Sequence, residues 1–153
     1  MKLLPVLLLA LLPLTASALD AGDPVAPWTL LDQHDQPFTL NEQTRTLLVA
    51  RSMEGAKMVN QALDGKPKGF LESRQTVFLA DIQKMPALIA RMFAIPKMRD
   101  YSYRVVLDRD ARIAPRYAGD EDKVLWLQMR DGRLVSQRQF GSAEQLRAAL
   151  EQP

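Results

Sequence analysis

The run Thr46-Leu47-Leu48-Val49-Ala50 passes straight into a helix-patterned stretch, and this pairing constrains the fold more than any other feature. A strand with one wet face alternates apolar and polar residues. A continuous apolar run has no polar face to show, so it belongs in the middle of a sheet covered on both sides. After it, Met58, Val59, Ala62 and Leu63 recur at helical spacing, and Gly65 supplies a stop. The helix start is placed near Gly55.

The same grammar repeats down the chain. Thr76 to Ile82 reads as a second buried strand and Tyr103 to Asp108 as a third. Between them lies a helix bracketed by Pro86 and Pro96, with Leu88, Ile89, Met92 and Phe93 read as its buried face. Two further strands, from Lys123 and from Arg133, are joined at Arg130-Asp131-Gly132, a hairpin signal. Ser142 with Gln145 forms a capping box opening a last helix, which turns Leu146, Ala149 and Leu150 inward. Ahead of all this, Trp28 and Leu30, then Phe38 and Leu40, keep period two around the turn "DQHDQP". Strands alternating with crossover helices imply an α/β domain: a central mixed sheet flanked by helices on both faces, with an N-terminal hairpin.

The N-terminus reads as an export signal over residues 1–18. Lys2 is the basic start, Leu3 to Leu14 the apolar run, and Ala16-Ser17-Ala18 the small-residue cleavage site, with cleavage after Ala18. The apolar run falls short of the ~20 residues a membrane span needs, and no later segment reaches that length. Removing 18 of 153 residues leaves one domain, 19–153, of 135 residues, and loss of Lys2 lowers the formal charge from +2 to +1. That balance gives no ground for nucleic acid or an anionic membrane as partner. The expected location is the periplasm, without a membrane span after cleavage.

The chain contains no cysteine and one histidine, His34. Thiol redox chemistry, thiolate metal sites and a cysteine nucleophile are therefore out of reach. A Ser-His-Asp triad or a multi-His zinc site has little to draw on. Asp108, Asp110, Asp120, Glu121 and Asp122 read as turn carboxylates, with no pair placed across a pocket. No Gly-x-Gly-x-x-Gly turn follows a strand, and no cofactor is expected.

From about Asp20 to Gln152 the chain resembles a thioredoxin-like domain of the peroxiredoxin-related kind. "DPVAPWTLLDQHDQPFTL" is similar to the family opening, with Asp35 where a glycine usually stands. "VVLDRDARIAPRYAG" and "KVLWLQMRDGRLVSQRQF" resemble its later segments. The resemblance implies that the loop after "TLLVA" is the place of Cys-x-x-Cys. Met53 and Ala56 occupy those two positions, while Gly55 and the following Lys57-Met58 match. Lys123 stands where thioredoxins carry a cis-proline. With a thioether at position 53, neither disulfide exchange nor peroxide reduction is possible, since both start from a thiolate.

The junction therefore reads as redox-inactive. Its helix start still offers unpaired N–H groups and a positive dipole end, which Glu54 suits. The residues expected to form a protein- or peptide-binding groove are Met53, Glu54, Gly55, Lys57 and Lys123, with an unidentified envelope protein or peptide as partner. Two other classes stay open: a Cu(I) carrier using His34 and Met53 as soft or borderline ligands, and an enzyme that uses no thiol.

Overall fold

The computed structural model describes residues 18–153. The export-signal expectation falls on residues 1–17 and the cut after Ala18, so it lies outside the described residues. Five strands form the main sheet: β3 (Thr46–Ala50), β4 (Thr76–Asp81), β5 (Val106–Asp108), β6 (Val124–Arg130) and β7 (Arg133–Phe140), in the order β5-β4-β3-β6-β7. β3, β4 and β5 are parallel, and β6 and β7 are antiparallel additions. β1 (Thr29–Leu31) and β2 (Pro37–Thr39) make the separate N-terminal hairpin. The sheet is mixed, as the sequence pattern requires, and every residue of β3 is buried.

Alternating side chains divide the core. On one face Leu48, Ala50, Phe78 and Ala80 meet Met58, Val59, Ala62 and Leu63 of α1 (Met53–Ala62) and its exit. The same face receives Leu71 of α2 (Phe70–Ser73) and Leu146, Ala149 and Leu150 of α5 (Ala143–Glu151). On the other face Leu47, Val49 and Leu79 meet Trp28, Leu40, Ile113 and Tyr117. That second layer is the hairpin and one 3₁₀ turn, Ala114–Arg116, so the helical cover there is a single turn. Between the end of β5 at Asp108 and the start of β6 at Val124 the chain forms no other helix.

The turns obey their residues. Asp131 and Gly132 have φ of 52° and 75°, the two left-handed positions a two-residue hairpin needs. Asp35 also adopts a left-handed φ of 59°. Its neighbours fasten the hairpin to the sheet. Buried Asp32 accepts the His34 and Gln36 N–H groups at 2.8 and 3.0 Å and pairs with Arg104 at 3.2 Å. Buried Gln33 donates to the Tyr103 carbonyl at 2.8 Å and accepts from the Val105 N–H at 2.9 Å, completing β5 on its open side.

Two readings need correction. The helix between β4 and β5 does not end at Pro96. It runs as α3 (Ala87–Ile89), a π-helix (Ala90–Ala94) and α4 (Ile95–Met98). The wider turn sends the Ile95 N–H to the Ala90 carbonyl, which resets the bonding register, and Pro96 then sits in the first turn of α4, where no N–H is needed. Nor is its core face the expected one, as the site shows.

Candidate functional site

Register brings the junction together. Ala50 pairs with Ala80 and with Val124, and Val124 with Phe140. Arg51, Lys123 and Gly141 therefore flank the sheet at one end of its strands, with Asp81 in the last β4 pair beside them, and the chain runs from this end into α1 and, after Asp81, toward α3.

α1 starts at Met53, two residues earlier than its pattern suggests. Ser52 is the reason. Its extended backbone and its Oγ, accepting the Gly55 N–H at 3.2 Å, make it the N-cap. Met53 is consequently the first helical residue and stands 76% exposed. Glu54 lies exposed in the first turn, where its charge suits the dipole. Ala56 is half-buried against the core. Gly55 is buried: a Cβ there would lie 3.3 Å from the Ala50 Cβ and 3.5 Å from the Lys123 carbonyl oxygen. α1 and the Lys123 segment thus close on each other at Gly55, and the Lys123 stem runs toward Gly141. Lys57 is exposed.

Arg51 is spent on architecture. Its guanidinium donates to the Tyr117 and Gly119 carbonyls at 3.1 and 3.3 Å. Buried Tyr117 accepts the Trp28 indole N–H at 2.8 Å, and burial raises its phenol pKa. Exposed Lys84 and Glu121 pair at 2.9 Å, and the lysine holds the Glu121 carboxyl below its ordinary range. Asp108 is not a solvated turn carboxylate. It is buried and accepts the N–H groups of Arg112, Ile113 and Ala114 at 2.9, 2.7 and 2.7 Å. It therefore shapes the 3₁₀ turn.

The main departure from the sequence reading lies on helix 87–98. Leu88, Ile89, Met92 and Phe93, expected inside, are 56%, 44%, 56% and 63% exposed. Ala90 and Ile95 are the buried residues, with Met85 and Met98 packed beside them. The segment therefore presents an apolar face to solvent, and from Gln83 to Arg99 it carries Lys84, Arg91, Lys97 and Arg99 but no acidic residue. Both α1 and this helix cover the same face of adjacent strands. The signal was present: every residue from Leu88 to Ile95 except Arg91 is apolar. A helix apolar all round has two faces to cover, and the body of the domain covers only one.

His34 lies in the β1–β2 turn, fastened beside the start of β5 by the Gln33 N–H bond to the Val105 carbonyl at 3.1 Å. Met53 follows the end of β3. Because β3 and β5 run in the same direction, the two potential metal ligands sit at opposite ends of the sheet.

No protein-family model and no curated protein matches the chain. Solved structures do. The peroxidoxin BcpB of Mycobacterium tuberculosis aligns at 14% identity and a TM-score of 0.56, over 86% of this chain and 96% of that one. A peroxiredoxin-like protein of Aquifex aeolicus aligns at 9% and 0.54, over 88% of each chain. The thioredoxin domain of a thiol-disulfide oxidoreductase of Bacteroides vulgatus aligns at 12% and 0.52, over 88% of this chain and all of that one. The fold is thioredoxin-like. The likeness stops at the fold, and the chain has no thiol with which to carry out the thiol chemistry. Among the described residues no helix is long and apolar enough to cross a membrane.

Proposed function

We propose that this chain is an exported, redox-silent docking module that binds an apolar polypeptide segment flanked by acidic residues. The binding surface is the start of α1 together with the outer face of helix 87–98. One observation carries the reading: Leu88, Ile89, Met92 and Phe93 stand exposed in succession on a helix reached from the same end of the sheet as exposed Met53. Adjacent exposed apolar side chains of this size mark interaction surfaces, whereas single ones need no explanation. Methionine at two of the five positions suits a surface that adapts to its partner.

Charge selects the partner's flanks. Arg91 and Lys97 border the apolar face and no carboxylate lies between Gln83 and Arg99, while beside Met53 exposed Glu54 offsets Lys57, so the basic flank is that of helix 87–98. Two copies of the chain meeting through this face would place like charges together, which disfavours self-association. In this reading Gly55 and Lys123 set the backbone geometry, and Met53 and Glu54 are the contacting groups of the junction. The periplasm is the proposed location, on the strength of residues 1–18.

The test pairs synthetic helices with site-specific photo-crosslinking. Two amphipathic peptides with the same apolar residues, one flanked by glutamates and one by lysines, are titrated against the purified chain. Binding of the acidic peptide alone, its crosslinking to positions 53 and 93, and its loss in Phe93→Asp are expected. Equal binding of both peptides, or none by either, sinks the proposal. Sedimentation with anionic vesicles in place of peptide binding would assign the face to lipid.

A further inference from the structure

We propose a second site at the opposite end of the sheet from Met53: a cleft that binds a small polyanion carrying two or more carboxylate or phosphate groups. β3 and β4 begin there at Thr46 and Thr76, β6 arrives at Gln128, and α5 ends at its margin. The cleft measures about 560 Å³, within the range of small-molecule sites. Arg45, Arg74 and Arg138 line it with no Asp or Glu, and Pro153 with its carboxyl group stands at the rim without an ion pair to any of the three.

Two of these guanidinium groups are held without any carboxylate, and the third is held by nothing among the described residues. Arg138 lies 4.9 Å from the Trp126 ring centroid and 5.1 Å from that of Phe140. Arg74 lies 4.9 Å from the Phe70 ring and donates one hydrogen bond, 2.6 Å long, to the Gln152 carbonyl. The Arg45 side chain touches no acceptor among the described residues. Arg99, Arg104, Arg109 and Arg147 pair with carboxylates, and Arg51, Arg112 and Arg133 donate to carbonyls alone among the described residues; what sets Arg45, Arg74 and Arg138 apart is that they share one cleft. Ring faces and a carbonyl fix the orientation of an arginine without cancelling its charge, and most of its five N–H donors stay available. Three such charges in one concavity repel one another, and a polyanion relieves that repulsion while accepting paired N–H bonds.

The floor suits the same ligand. Thr46 lies in register with Thr76 on one side and Gln128 on the other, so the three form a polar row across β4, β3 and β6. The Trp126 indole N–H bonds the Gln128 Oε1 at 3.1 Å, which leaves the Gln128 amide NH₂ as a donor. The Thr76 hydroxyl is already committed to the Arg74 carbonyl at 3.2 Å, so the donors left below the guanidinium groups are the Thr46 hydroxyl and the Gln128 amide, which suit an oxyanion rather than a cation.

Calorimetric titration of the full chain at low ionic strength tests the site, with pyrophosphate and citrate as separate probes and acetate at matched ionic strength as control. Saturable binding of one probe per chain with Kd below ~1 mM is expected. The better probe then separates phosphate from carboxylate chemistry. Arg45→Gln, whose side chain supports nothing in the fold, should weaken binding about tenfold, and Arg45→Gln with Arg138→Gln should abolish it. Arg130→Gln, outside the cleft, should leave it unchanged. Amide shifts on saturation should map to Thr46, Thr76 and Gln128. No heat with either probe, equal affinity in Arg45→Gln and the parent chain, or shifts centred elsewhere would each overturn the proposal.

Discussion

Replacing Phe93 by alanine should cost the isolated protein almost nothing, whereas the same change at Phe78 should come close to unfolding it. Phe93 is 63% exposed and Phe78 is 3% exposed. Full burial of a phenylalanine side chain contributes up to ~3 kcal/mol, so covering just over a third of Phe93 contributes about 1 kcal/mol. Alanine returns roughly 0.5 kcal/mol of that through its higher helix propensity. The expected net loss for Phe93→Ala is therefore ~0.5 kcal/mol. Phe78 sits between the sheet and its helices, with its ring 6.2 Å from that of Tyr103. Truncation there also opens a cavity, and about 3–5 kcal/mol is lost. Urea unfolding followed by the fluorescence of Trp28 and Trp126 measures both, provided the m-value is common. A loss of ~3 kcal/mol in Phe93→Ala would mean that this side chain is packed in solution, and the docking face would lose its basis. Dependence of the parent's stability on its own concentration would identify a second copy as what packs it.

Other perturbations probe the frame that positions the site. Asp108→Ala strands three backbone N–H groups, two of them on buried residues, and should cost about 3–5 kcal/mol in the same assay, with Asp108→Asn losing less because an amide oxygen still accepts. Gly132→Ala places a Cβ at a φ of +75° and 3.2 Å from the Glu42 Cγ; a loss of about 1–2 kcal/mol is expected, with Gly119→Ala, free of a left-handed φ, as the milder control. All three tyrosines are shifted upward, in each case first by burial. The folded state therefore disfavours their ionised forms, so its stability is complete below the unfolded tyrosine pKa of ~10 and declines as pH rises past it. Absorbance titration at alkaline pH should show tyrosinate forming later in the native protein than in urea, and Tyr103→Phe should flatten the alkaline loss of melting temperature.

The elements whose residues face only one demand were legible from the sequence. Leu47 to Ala50 read as a central strand, Asp131-Gly132 as a tight hairpin turn and Ser142 with Gln145 as the start of α5, and the buried β3, the left-handed φ values and the Ser142 bond to the Gln145 N–H agree. What escaped depends on tertiary partners. Ser52 caps α1, but serine ahead of "MEGAKM" competes with Gly55 as a starting signal, and only the bond to the Gly55 N–H decides between them. Gln33 and Asp108 are polar residues whose burial is stabilised by backbone groups from other segments, and no local pattern announces that. Helix 87–98 shows the sharpest limit. Periodicity locates apolar residues around an axis but does not say which side the domain occupies. Leu88, Ile89, Met92 and Phe93 made one plausible inner face, while the smaller Ala90 with Ile95 made the real one. Ala90 allows that closer approach to the core, and the π-turn rotates the residues that follow.

The junction itself is chemically quieter than its address suggests. In a thiol-bearing relative the positive start of the helix stabilises a thiolate. Here Ser52 takes the Gly55 N–H, the charge of Glu54 answers the dipole, and a side chain at Gly55 would meet the Ala50 Cβ. The donors are partly satisfied, the field has its counter-charge, and little space is left between α1 and β3. An anion gains nothing there that the chain has not already supplied. What remains for a partner is the part that cannot be satisfied internally, the thioether of Met53 and the apolar side chains of the neighbouring helix. Uncompensated positive charge lies instead at the far end of the sheet, among arginines held by ring faces. The same thioredoxin-like scaffold thus separates two unmet demands, exposed apolar side chains at one end and arginines without carboxylate partners at the other, and the two proposals rest on that separation.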